Sequence, residues 1–201
     1  MTFMELVQKR RSVRRYSDRP VAREDVLKCI EAARLAPSAC NSQPWKFIVI
    51  DEPGLRTRIA EKIFSGLYSM NKFAKEAPVL VAAVSEKMKF LAAVGSQVRG
   101  TRYFLMDVGI ACEHLILQAE ELGIGSCWMG WFDEKALKEE LKVPKNKKID
   151  IVIALGFPAK IEGEARLISG RPAEDKIIPK ARKSLKEISS FNAYNGSDEV
   201  L

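Results

Sequence analysis

Two short segments hold most of the residues able to do chemistry. Arg10-Arg-Ser-Val-Arg14 sets three guanidinium groups and a hydroxyl close together. Arginine forks and a serine O–H suit a phosphate or the acceptor-rich edge of a ring. Further on, Pro37-Ser-Ala-Cys-Asn-Ser-Gln-Pro-Trp45 offers Ser38, Asn41, Ser42 and Gln43 between two prolines, just before an apolar run. Prolines fix φ and hold such a loop in one shape. Rigid amides and hydroxyls are what a planar heterocycle with donors and acceptors along its edge requires, so the pair reads as a cofactor cradle. Taken alone, the second segment has the composition of an ordinary turn.

A third element is Leu122-Gly-Ile-Gly-Ser-Cys-Trp-Met-Gly130. Gly123 reads as a helix C-cap. The Gly-x-Gly ends a helix rather than opening one, so it lacks the phosphate-cradling mechanism of dinucleotide motifs. Lys180-Ala-Arg182 lies in a charged tail, where solvated surface is the default reading, and Arg171 competes with Arg182 as an anion ligand. His114, the single histidine, has no Ser or Cys partner indicated by spacing and reads as structural. Trp45 reads as core, and Asn71 as able to reach a bound ring. No catalytic side chain is assigned.

Taken together, these segments and their order resemble the FMN-dependent nitroreductase family. That family opens with Arg-Arg-Ser-x-Arg and an aromatic, here Tyr16, followed by Pro-Ser-x-x-Asn-x-Gln-Pro-Trp. The resemblance runs from about residue 3 to about residue 194 and implies an α+β fold, a mostly antiparallel central sheet flanked by helices. It implies one domain over residues 1–201, with 159–201 an arm exchanged within a homodimer. It implies FMN as cofactor, NADH or NADPH as hydride donor, and a small electron-poor acceptor such as a nitroaromatic or quinone. Arg10, Arg11, Ser12, Arg14, Lys180 and Arg182 would hold the flavin and its phosphate, with Arg182 favoured over Arg171. Pro37, Ser38, Asn41 and Gln43 would face the flavin of the partner subunit. Trp128, Met129 and Gly130 would lie along the ring and present an amide N–H to the hydride-accepting nitrogen. A relative using the same cradle for reductive dehalogenation or flavin fragmentation is the enzymatic alternative.

These segments need elements to position them. Apolar residues at 26, 27, 30 and 33 predict a helix over 24–35, with Glu24 and Asp25 favourable in its first turn. Short strands are expected over 46–50 and 126–131, and a last core strand over 149–157. The run 79–84 is apolar on both faces and reads as a central strand. The longest helix, 103–122, is apolar nearly all round, which suits a core or a subunit interface. Helices are also expected over 4–9, 55–63 and 134–141, the last with Asp133 as N-cap. Residues 87–100 read as part helix and part loop, and 184–188 as a short helix.

A chain of 201 residues is long enough for one substantial core. Composition is that of a folded soluble protein, and the N-terminus lacks a charged start followed by an apolar run, which predicts a cytoplasmic location and no membrane partner. A net charge of +7, with basic runs at 9–15, 142–148 and 180–186, raises a nucleic-acid binder as a rival. The runs lack helix-turn-helix or zinc-finger spacing and interleaved aromatics, so no nucleic acid is expected. Cys29, Cys40, Cys112 and Cys127 form no Cys-x-x-Cys pair and read as buried thiols without a metal.

Overall fold

Val79–Ser85 (β2) alternates its side chains between two separate cores. Leu80, Ala82 and Val84 join one, and Val79, Val81 and Ala83 the other. Successive strand residues face opposite sides, so a strand apolar throughout must be covered on both. The computed structural model, which describes residues 1–159, 167–168, 171–172 and 181–194, places β2 inside a sheet of order β1-β2-β4-β3. The other strands are Trp45–Ile50 (β1), Gly125–Met129 (β3) and Lys148–Gly156 (β4), and every pairing is antiparallel. The expected α+β layout with an antiparallel sheet is what the chain adopts.

One face of the sheet packs against Arg23–Arg34 (α2) and Tyr103–Glu121 (α5), through Val26, Cys29, Val108, Ala111, Cys112 and Leu115. The other is covered by Pro53–Ile63 (α3) and Glu134–Leu141 (α6), through Ile59, Ile63 and Leu137. Phe3–Lys9 (α1) opens with a Thr2–Glu5 capping box, and residues 87–100 are part loop and part helix as expected, with Phe90–Arg99 (α4) closed by Gly100 at φ 63°. Gly66–Glu76 is a 3-10 segment. Asp133 caps α6 by accepting from the Ala136 amide at 3.0 Å.

The end of α5 sets the position of β3. Gly123, at φ 75°, donates to the Glu120 carbonyl at 3.0 Å, and Ile124 donates to that of Ala119 at 2.8 Å. This is a Schellman turn, which needs a left-handed residue at that point. Residues 161–201 form a second unit. Within it Leu167–Ile168 (β5) pairs with Arg171–Pro172 (β6), and Leu185–Ile188 (α7) is a short helix. Among the described residues no helix is long and apolar enough to cross a membrane.

Two expectations about burial need correction. Cys40 is exposed, because the 3-10 turn Ala39–Asn41 that carries it has no buried residue. Leu27, expected on the buried face of α2, is 59% exposed, since that face is narrower than the apolar period. Trp45 is half-buried against the α2–α5 core.

Candidate functional site

The arginine segment is laid onto the free edge of β3. Ser12 bridges Ser126 in parallel, and the Val13 amide donates to the Ser126 carbonyl at 2.8 Å. Tyr16 then bridges Pro158, and Ser17 donates to the Phe157 carbonyl at 2.9 Å. Val13 and Tyr16 point into the core, while Ser12 and Arg14 are exposed. The Tyr16 hydroxyl donates to the Val13 carbonyl at 2.7 Å and so fastens the segment to itself. Burial, with Cys127 nearby, raises the Tyr16 phenol well above its ordinary range, keeping it a donor.

Two glycines, paired with each other across β3 and β4, make the seat. A Cβ on Gly125 would stand 2.6 Å from Cγ2 of Val13. One on Gly156 would stand 2.5 Å from Cδ of Pro78 and 2.7 Å from a ring carbon of Tyr16. Glycine inside a strand often marks such a close approach.

The third element occupies the same edge. Met129 is buried, Trp128 is 36% exposed, and Gly130 is exposed, with nothing among the described residues within 4 Å of where a Cβ would stand. The chain beyond is pinned: Asn71 Nδ2 donates to the Trp131 carbonyl at 2.8 Å, and Trp131 Nε1 donates to that of Leu67 at 3.0 Å. The Tyr68 and Trp131 rings lie 5.3 Å apart beside a groove that includes Gly130. The arginine segment and residues 128–130 are thus brought together, through Ser12 beside Ser126. On the neighbouring α5, Glu113 lies 3.7 Å from Arg10 and Glu120 lies 3.6 Å from Lys9. The Arg14 guanidinium stands 5.8 Å from the Phe73 ring centroid.

The Pro37–Gln43 loop is anchored elsewhere, at the N-terminal end of α5. Cys40, Asn41 and Gln43 have φ of 51°, 51° and 48°. For non-glycine residues this left-handed region costs roughly 1–2 kcal/mol each. Ser38 Oγ accepts from the Gln43 amide at 2.9 Å, and Gln43 Nε2 donates to Asn41 Oδ1 at 2.8 Å. The Ala39 amide donates to Asp107 Oδ1 at 3.1 Å, and the Lys89 amide to Ser42 Oγ at 3.3 Å. Burial raises the Asp107 carboxyl above its usual range, and the Ala39 hydrogen bond partly opposes this.

Lys180 lies outside the described residues. Arg182 is exposed in the second unit, its guanidinium donating to the Ala181 carbonyl at 3.1 Å, and Arg171 sits in β6. His114 Nδ1 is 3.3 Å from the Ala32 carbonyl, a tie between α5 and α2. Burial pushes the Cys29 and Cys112 thiols up to about 12, so neither is a nucleophile near neutral pH. Sequence reasoning missed the glycine pair, the Tyr68–Trp131 contact and Asp107. A carboxylate in the apolar first half of α5 was the available signal for the last.

These features define an α+β scaffold whose candidate site is a glycine-seated sheet edge with Ser12 and Arg14 exposed beside it. The chain belongs to the nitroreductase family, whose sequence profile matches residues 7–157, and is an oxidoreductase. A protein of Archaeoglobus fulgidus named "Putative NADH dehydrogenase/NAD(P)H nitroreductase" is 35% identical over 77% of this chain and 84% of its own length. An iodotyrosine deiodinase of Thermotoga neapolitana is 26% identical over 77% of this chain and 87% of its own. The solved structure of an FMN-dependent nitroreductase from Clostridium difficile R20291 has a TM-score of 0.65 at 29% identity, covering 80% of this chain and 90% of that one.

Proposed function

We propose that the protein is a cytoplasmic, homodimeric FMN-dependent NAD(P)H oxidoreductase that reduces small electron-poor acceptors such as nitroaromatics and quinones. The observation that carries this is the β3 edge, where Arg14 and Ser12 are exposed beside Ser126 and, among the described residues, nothing stands within 4 Å of where a Gly130 Cβ would be. That donor set fits an anionic, planar cofactor: guanidinium and hydroxyl groups for a phosphate, and main chain bare enough for a ring to approach. When bound, FMN would supply the hydride-transfer chemistry between nicotinamide and acceptor.

The chain's own residues bind and orient. Arg10, Arg11, Ser12 and Arg14 hold the anionic end together with Lys180 and Arg182. The main chain at Trp128, Met129 and Gly130 supports the ring and offers an amide N–H to its hydride-accepting nitrogen. Pro37, Ser38, Asn41 and Gln43 serve the ring held by the partner subunit, with residues 159–201 as the exchanged arm. Exposed Leu105, Met106 and Ile110 on α5 favour the dimer, being apolar side chains on the helix that also carries the core. No side chain is needed as acid or base, since water can supply protons.

Acid precipitation of the purified yellow protein should release FMN, and the apoprotein should rebind it. A colourless protein that takes up no FMN overturns the proposal. Initial rates over a grid of NAD(P)H and acceptor should give parallel double-reciprocal lines, whereas intersecting lines defeat the shared-site, ping-pong scheme. The deiodinase relative supports a second reading, reductive dehalogenation by the same cradle. Release of halide from a halotyrosine by the reduced protein, with poor nitro and quinone turnover, would favour it.

A further inference from the structure

Asp107 lies near the start of the long, largely apolar helix α5, yet it is only 5% exposed. Its helix neighbours on the buried face, Val108, Ala111 and Cys112, are small and apolar. An ionisable group in such surroundings is unfavourable unless it meets a specific donor. One oxygen does: Oδ1 accepts from the Ala39 amide at 3.1 Å. Among the described residues Oδ2 is buried with no hydrogen-bond partner. The core gives no reason for an acid here, and the contact that remains is to the amide opening the 3-10 turn Ala39–Asn41.

That turn and the residues after it hold three side-chain-bearing positions at positive φ, a conformation that persists only where surroundings enforce it. The ties from Ser38 to Gln43 and from Gln43 to Asn41 lie within the loop and move with it. The tie from Ser42 goes to Lys89, at the N-terminus of α4. The bond from Ala39 reaches the core helix. We propose that Asp107 is a positioning residue for the cofactor loop: through the Ala39 amide it holds the strained turn in the shape that presents Ser38, Asn41 and Gln43 to the flavin. This rests on the FMN reading above only for the identity of what the loop meets.

The test pairs Asp107→Leu, which removes both acceptors, with Asp107→Asn, which keeps one carbonyl able to accept from Ala39. Hydrogen exchange of the apoprotein reports the loop without the flavin, and fluorescence titration with FMN reports the cofactor. Losing a hydrogen bond to a buried acceptor should speed exchange of amides 39–43 about tenfold and weaken FMN binding by a similar factor. Amides of β2 and β4 should keep their protection, and Asp107→Asn should recover most of both losses. Unchanged exchange over 39–43 in Asp107→Leu overturns the proposal, as does an Asp107→Asn protein as impaired as Asp107→Leu. Should Asp107→Leu fail to fold, Asp107→Asn is compared with wild type alone, and exchange faster by tenfold overturns it. Wild-type protein that binds no FMN sinks the cofactor reading, while the exchange experiment still decides the role of Asp107.

Discussion

The two halves of the proposed cradle are held in opposite ways. The arginine segment is seated by main-chain pairing along β3 and by the absence of side chains at Gly125 and Gly156. Among the described residues the Pro37–Gln43 loop pairs with no strand; the Asp107 and Ser38 side chains accept from its amides, Ser42 accepts from the Lys89 amide of α4, and three of its residues are left-handed. The seat follows from the sheet, which cannot shift register without moving both cores. The loop stores strain, and its shape survives only while its anchors do. The seat should therefore fail through steric filling and the loop through loss of single polar contacts.

The largest effect is expected at the seat. Gly156→Ala should destabilise by about 3 kcal/mol, because the new methyl meets a proline ring and an aromatic ring that cannot both withdraw. Gly125→Ala should cost about 1–2 kcal/mol, because the three nearest atoms it meets all belong to the Val13 side chain, and adding Val13→Ala, which removes the two Cγ methyls and keeps Cβ, should restore part of it. Urea unfolding measures all three. If Gly125→Ala with Val13→Ala is no better than the sum of the singles, the steric account of the seat is wrong.

Next in size is a change that spares the fold. Arg14 is exposed, so Arg14→Ala should leave unfolding free energy within about 0.5 kcal/mol of wild type. The same change should weaken FMN binding by about tenfold through the lost charge-assisted contact. A stability loss without a binding loss would make the segment structural rather than ligand-facing. Arg182→Ala should behave likewise, and a loss seen in Arg171→Ala instead would reassign the phosphate contact.

A smaller, pH-dependent effect probes the loop anchor. The folded-state pKa of Asp107 is raised by burial, so the native protein holds this proton more tightly than the unfolded chain does. Its contribution is most favourable below the ordinary carboxyl pKa of about 4 and is lost as pH rises through the raised value. Thermal midpoints of Asp107→Asn relative to wild type should therefore improve from pH 4 to pH 7. A difference that stays constant with pH would show that the carboxyl does not titrate abnormally. Smallest of all, Cys40→Gly should relieve the φ of 51° and stabilise the protein by up to about 1 kcal/mol. Destabilisation would mean that the thiol, though exposed, makes a contact that matters.

The sequence by itself determined the elements and the residue types of the candidate site. The 3.6-residue period of α2, the doubly apolar β2, the glycine stop after α5 and the Asp133 cap are local signals, written in neighbouring residues. The segments proposed as the cradle stood out for the same reason, since three arginines and a serine lie together in one stretch and a proline-bounded polar loop in another. Only the tertiary structure decided what these segments rest on. That Gly125 and Gly156 lie opposite each other is a matter of strand register, and that both face Val13 or Tyr16 depends on the segment crossing the sheet edge. The bond from Asp107 to Ala39 joins residues far apart in the chain, and the exposure of Cys40 follows from a turn with no buried face. Local pattern carries propensity and chemistry. Close approach between distant segments depends on how the chain packs, and no spacing along the chain encodes it.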